Sequence, residues 1–243
     1  MKKLLRFLVV MALASGVIYC VFPQQTQTTL SFVKSKTTAK YTTNARLEQF
    51  GSAVQARLLP HFEKAGVPFP PQAITLLAFK DSKHVELYAP DTQGAWQRIT
   101  DYPIQAASGN LGPKLKEGDR QVPEGIYSIE LLNPNSLYHV SLRLNYPNAF
   151  DQEMAATEGR TQLGSDIMIH GKAASIGCLA MGDTAAEELF ALAAWLGKEN
   201  IKVVIAPTDF RVNVLQKLDV SLPVWAEALY ERLRVELAQY PVS

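Results

Sequence analysis

A histidine followed by a glycine, His170-Gly171, and a thiol within Ser175-Ile176-Gly177-Cys178 form the densest group of reactive side chains in the sequence. Ile167-Met168-Ile169 leads into the histidine and Leu179-Ala180-Met181 leads away from the cysteine, so the segment reads as strand, loop, strand. A chain reversal between Gly171 and Gly177 makes His170 and Cys178 cross-strand neighbours, with Cβ atoms roughly 4.5 to 5.5 Å apart, or more for a diagonal pair. At that range an imidazole can take the proton of a thiol, which is a weak nucleophile until it is deprotonated. The chemistry would be acyl transfer: Cys178 attacks a carbonyl, His170 manages the proton, and backbone N–H groups around Gly177 and Cys178 face the developing oxyanion. The competing reading has Cys178 filling a core and His170 closing a strand.

The first residues decide the environment of that thiol. Lys2, Lys3 and Arg6 precede an uncharged run from Phe7 to Phe22, the order of an export signal. The run falls just short of the roughly 17 to 25 residues that span a bilayer, so it reads as a cleaved signal or a short uncleaved anchor. Ala12-Leu13-Ala14 offers a cleavage pattern, whereas the bulky Tyr19 argues against lipidation of Cys20. With Cys20 in this leader, Cys178 is the sole thiol of the exported part and has no disulfide partner there. The expected location is the periplasm or cell envelope.

These residues need a scaffold. The chain has 243 residues, 47% of them hydrophobic, enough for one core plus extensions. Its 24 Lys+Arg and 23 Asp+Glu argue against nucleic acid held by a basic surface. Residues 23–43, rich in Thr, Gln, Ser and Lys, read as a polar tether after a leader at 1–22. Residues 44–67 read as an amphipathic helix with Asn44 as N-cap, Leu47, Phe50, Val54 and Leu58 on one face, and an end at Pro60 or at Gly66 to Pro68. Strands are predicted at Ile74 to Phe79, Val85 to Tyr88, Trp96 to Ile104, Gly125 to Leu131, His139 to Leu144, Asp166 to His170 and Ile201 to Ala206. Helical pattern returns at Thr184 to Leu196, opened by the capping-box spacing of Thr184 and Glu187, and at Leu222 to Gln239. The catalytic part is placed at 70–212 and a C-terminal helical extension at 213–243.

His170-Gly171 followed by Ser175-x-Gly177-Cys178 resembles the signature of the L,D-transpeptidase catalytic domain (YkuD type), in particular its YafK-like branch. Ser108-Gly109-Asn110-Leu111-Gly112-Pro113-Lys114, Glu117-Gly118-Asp119, Pro123-Glu124-Gly125-Ile126-Tyr127 and Tyr146-Pro147-Asn148-Ala149-Phe150-Asp151 agree with that branch. The sequence departs from the wider family at Ile176, where a second histidine usually stands, and at Ala180, where an arginine often follows. The resemblance implies an α+β, β-rich fold, a mixed β-sandwich or barrel with a few flanking helices. It also implies His170 as general base, Cys178 as nucleophile, and Gly177 and Ser175 as weaker matches in the oxyanion or substrate region. The implied substrates are peptidoglycan stem peptides, attacked at the carbonyl of the third-position diamino acid. The thioester then passes to an amine, or to water in an amidase that releases a wall-linked lipoprotein. No cofactor, metal or nucleic acid is implied, and the membrane is a partner only through an uncleaved leader.

Other residues carry less. His61, His84 and His139 lack metal-ligand spacing. Lys114, Arg160 and Lys172 are candidates for substrate carboxylates. Tyr146 and Asn148 are candidates for shaping a cleft or for simply forming a turn, and Asp166 or a backbone carbonyl for orienting the histidine. A non-catalytic wall-binding module with a buried thiol is the rival from another class.

Overall fold

In the computed structural model, residues 40–215 and 222–242 are described. The expected leader, and the tether up to residue 39, lie outside them. Among the described residues no helix is long and apolar enough to cross a membrane. Helix α1 runs over Thr43–Ala65, burying Phe50, Val54, Leu58 and Phe62 at steps of one turn. Its N-cap is Thr42 and not Asn44: the Thr42 hydroxyl accepts from the Ala45 N–H at 3.1 Å. Pro60 sits inside the helix on its exposed side, and Gly66, at φ 67°, ends it.

Among the described residues eight strands form one mixed sheet: β1 (Ile74–Phe79), β2 (His84–Pro90), β3 (Trp96–Pro103), β4 (Gly125–Asn133), β5 (Ser141–Leu144), β6 (Met168–His170), β7 (Leu179–Ala180) and β8 (Ile201–Ala206). Their spatial order is β3-β2-β1-β8-β4-β5-β6-β7. The sheet curls into half a barrel, and the fold is α+β and β-rich as the sequence implied. β1 is buried along its whole length because both of its faces are covered. Ile74, Leu76 and Ala78 join the core that holds α1 and α3 (Asp183–Leu196). Leu77 and Phe79 join a second core with Val204 and the C-terminal helix α4 (Ala226–Leu237).

Four local expectations are corrected. His139 and Asp166 were expected inside strands, yet both have positive φ, 76° and 58°, which turns the chain and delays β5 and β6 to Ser141 and Met168. The Thr184/Glu187 capping box does not form: α3 starts after Gly182 with no side-chain cap, and Glu187 instead lies 2.8 Å from the His139 ring. α4 begins at Ala226, after Pro223, and not at Leu222. Helix α2 (Ala149–Thr157) was not expected at all. Its capping box is genuine: Asn148 Oδ1 accepts from the Asp151 N–H, and Asp151 Oδ2 accepts from the Asn148 N–H, each at 3.0 Å.

Asp151 is also buried, with the Tyr127 hydroxyl 3.3 Å away. Burial pushes its carboxyl up to about 6, outweighing hydrogen bonds from Asn148 and Tyr127. A folded pKa above the unfolded value means that the folded state holds its proton longer. Asp151 therefore supports stability at low pH, and that support is lost as pH rises from about 4 through about 6. Urea melts at pH 4.5 and 6.5 are expected to show wild type losing about 2 kcal/mol relative to Asp151→Asn across this window. Parallel pH profiles of the two proteins would contradict it.

Candidate active site

Register decides which side chains meet. Across β5 and β6, which are antiparallel, Ser141 faces His170, Leu142 faces Ile169 and Arg143 faces Met168. β6 and β7 are parallel, with Ile169 beside Leu179 and His170 beside Ala180. Leu142, Ile169 and Leu179 all enter the larger core. Two-residue alternation therefore puts Ser141, Arg143, Met168, His170 and Ala180 on the opposite face. One further step along the register adds Cys178 to that face, beside Met168. The expected reversal is corrected here, because the strands are parallel and thiol and imidazole are diagonal partners. One strand spacing and two residue rises separate their Cα atoms by about 8 Å, and in this structure Sγ bonds to the Asp166 carbonyl and not to the ring.

His170 is 2% exposed. Its Nδ1 lies 2.6 Å from the Gly171 carbonyl oxygen. A carbonyl only accepts, so Nδ1 carries the hydrogen and Nε2 is the unprotonated nitrogen. Among the described residues Nε2 makes no hydrogen bond. The Tyr138 ring lies against the imidazole, centroids 4.5 Å apart. Burial pushes the imidazole pKa down, and the Gly171 carbonyl opposes this in part. A neutral base is thus in place at neutral pH. Of the two candidates for orienting it, the backbone carbonyl holds the ring, while the Asp166 carboxylate is held by Arg143 at 3.2 Å.

Gly171 has to be glycine for a reason of space. A Cβ there would lie 2.5 Å from Asp183 Oδ1 and 2.7 Å from the Tyr138 carbonyl oxygen. Gly171→Ala is expected to shift the carbonyl that holds His170, lowering turnover at least about tenfold and stability by about 1–3 kcal/mol. Thermal melts and turnover assays check this; an alanine variant matching wild type in both contradicts it.

Cys178 is half-buried, and its Sγ donates weakly to the Asp166 carbonyl oxygen at 3.7 Å. Burial pushes the thiol up, against a Met168 backbone hydrogen bond and the Lys114 charge, while the Asp166 carboxylate adds to the rise. Both shifts favour the uncharged forms, a thiol beside a neutral imidazole. The Ser175 hydroxyl donates to the Cys178 carbonyl at 2.6 Å and accepts from the Cys178 N–H at 3.0 Å, folding the loop that presents the sulfur. Gly177, at φ 99°, takes a conformation other residues avoid. Its N–H donates to Ser108 Oγ at 2.6 Å, and that hydroxyl donates to the Arg120 carbonyl at 2.7 Å. The two N–H groups expected to await an oxyanion thus already have serine acceptors.

A cleft of about 550 Å³ is lined by Glu130, Arg143, Asn145, Tyr146, Asn148 and Asp166 among others; Cys178 and His170 do not line it, and it meets the thiol through Asp166, whose backbone carbonyl accepts from Sγ. Tyr146 and Asn148 line this cleft, and Asn148 also caps α2. Arg143 was missed; its signal was a cation within the strand Ser141–Leu144, whose other residues are buried. The three basic candidates are engaged elsewhere. Lys114 is buried against the Asp119 carboxylate, Arg160 donates to the Leu115 carbonyl, and the Lys172 ammonium donates to the Leu137 carbonyl. Among the described residues no group of three or more His, Cys, Asp or Glu side chains could hold a metal ion.

Comparison with known proteins puts this arrangement in context. Residues 76–209 match the profile of a family described as the L,D-transpeptidase catalytic domain, YkuD. The chain is 34% identical over 134 residues to YafK of Escherichia coli (strain K12), which covers 53% of this chain and 52% of that protein. It therefore spans about half the length of the curated relatives it matches. Among solved structures it is similar to the helical cell shape determining protein Pgp2 from Campylobacter jejuni, with TM-score 0.45, 16% identity, and 77% of this chain and 78% of that chain covered. It is also similar to Mycobacterium tuberculosis L,D-transpeptidase 1, with TM-score 0.32, 12% identity, and 55% and 62% covered.

Proposed function

The chain belongs to the L,D-transpeptidase catalytic domain (YkuD) family, and from that premise we propose that it performs cysteine-dependent acyl transfer on peptidoglycan stem peptides in the cell envelope. The observation that supports the reading is the placement on one sheet face of the one thiol among the described residues and a buried imidazole whose Nδ1 is fixed and whose Nε2 is left without a hydrogen bond.

In this reading His170 Nε2 takes the proton of Cys178 as the sulfur attacks the carbonyl of the third-position diamino acid. The carbonyl π pair moves onto oxygen. A negatively charged oxygen is a stronger acceptor than a neutral hydroxyl, so it draws the Gly177 N–H away from Ser108 Oγ, which keeps its bond to Arg120. The oxyanion then collapses, the C–N bond breaks, and the imidazolium returns its proton to the leaving amine. A second amine attacks the thioester with its proton passing to His170, and the thiolate leaves and is reprotonated. Water in place of that amine gives an amidase. The open polar cleft admits either, so the acceptor is decided by experiment.

Incubating the protein with a diaminopimelate stem tetrapeptide, with and without glycine as acceptor, and weighing the products by mass spectrometry tests the reading. A glycine-exchanged peptide marks the transferase, and a tripeptide alone marks the hydrolase. Intact substrate in both samples, when a separate substrate-free sample in the same buffer shows Cys178 open to alkylation by iodoacetamide, overturns the proposal.

A further inference from the structure

Ser141 is fully buried, and its hydroxyl has no hydrogen-bond partner. Burying a hydroxyl unpaired costs folding stability, and an alanine of nearly the same size would avoid that cost. The neighbours along the chain, Val140, Leu142 and Leu144, show that apolar residues suit this strand. The position is not arbitrary: Ser141 stands directly opposite His170 in the antiparallel ladder. Side chains so paired share a face, with Cβ atoms roughly 4.5–5.5 Å apart.

We propose that Ser141 is a positioning residue for His170, whose hydroxyl turns its oxygen towards the imidazole when the ring carries the proton taken from Cys178. The inference rests on the reading of His170 as general base. The need for such a group follows from the surroundings. Gly171 supplies one carbonyl acceptor to the ring. The carboxylates of the neighbouring elements are occupied elsewhere: Asp183 accepts from the Lys172 N–H, Glu187 lies against His139 and Arg57, and Asp166 against Arg143. Tyr138 contributes its ring face, and Cys178 is the proton donor itself. Among the described residues a buried imidazolium here has no hydrogen-bonded anionic partner; of the other polar side chains on its face of the sheet, Arg143 is a cation held by Glu130 and Asp166, which leaves the rotating Ser141 hydroxyl. A hydroxyl, unlike a carboxylate, can also turn away and leave the neutral base unprotonated between turnovers.

The test is the pH profile of Cys178 alkylation by iodoacetamide, which does not depend on the identity of the substrate, in wild type, Ser141→Ala and His170→Ala. Ser141→Ala is expected to melt at the same temperature or higher, to alkylate about tenfold more slowly at neutral pH, the effect of one hydrogen bond to a charged group, and to shift the histidine limb to lower pH. A Ser141→Ala profile that overlays wild type, while His170→Ala loses the limb, overturns the inference and leaves the base assignment standing. A His170→Ala profile identical to wild type overturns both.

Discussion

Replacing Cys178 by alanine is expected to lower turnover of a stem tetrapeptide at least about 10³-fold while moving the melting temperature by only a few degrees. Among the described residues of this face the sulfur is the strongest nucleophile, and the Ser141 hydroxyl is fully buried. His170 is held as a base by Gly171, and the Ser175 hydroxyl is committed to the backbone on either side of Cys178. The structural effect is small because Cys178 is half-buried and free of any disulfide. The rival wall-binding module predicts that binding to peptidoglycan survives the substitution and that there is no turnover to lose. Turnover in the alanine variant within tenfold of wild type would contradict the assignment.

The largest effect on stability is expected far from the sulfur. Glu124 is 1% exposed and joins three segments. Its Oε1 accepts from the Gly112 N–H at 2.6 Å and lies 2.9 Å from the Lys80 ammonium, while Oε2 accepts from the Tyr230 hydroxyl at 2.9 Å. Lys80 also donates to the Gly112 and Val122 carbonyls at 2.8 and 3.0 Å. Burial pulls the Lys80 pKa down, with Glu124 opposing it. Glu124→Ala strands that ammonium and is expected to cost about 3–5 kcal/mol in a urea melt. The double variant Lys80→Met/Glu124→Leu should recover most of the loss, because the pair's attraction is largely offset by its desolvation. A single variant within 1 kcal/mol of wild type would show that the network is not structural. The site is also exposed to this change, since Gly112 and Val122 belong to the segment whose Ser108 holds the Gly177 N–H.

That His170 and Cys178 come together on one sheet face was legible in the sequence because these residue types are rare in this chain and closely spaced. The central strands were legible because a strand covered on both faces, such as Ile74–Phe79, needs an unbroken apolar run. The direction of β7 was not. A glycine-containing loop between two apolar stretches reads equally well as a hairpin or as a climb back to a parallel neighbour, and only the pairing of Ala180 with Ala106 on its far side shows where it lies. Helix α2 escaped notice because just Asp151 and Ala155 are buried along it, too few to mark a period, although Asn148-x-x-Asp151 spelled its cap. The Thr184/Glu187 pattern misled for the converse reason: Glu187 has a stronger claim on it from His139 and Arg57. The serine acceptors of the nucleophile loop and the unpaired hydroxyl of Ser141 depend on residues distant in sequence, so no local spacing announces them.

The central claim is that Cys178 carries the acyl group as a thioester formed with His170 as base. Intact-mass spectrometry of the protein, quenched in acid during turnover of a stem tetrapeptide and then digested, tests it most directly. The account predicts a mass increase equal to the tetrapeptide less its terminal alanine, located on the peptide that contains Cys178 and strongly diminished in His170→Ala. Turnover with no adduct on that peptide, or an adduct of undiminished yield in His170→Ala, would contradict it.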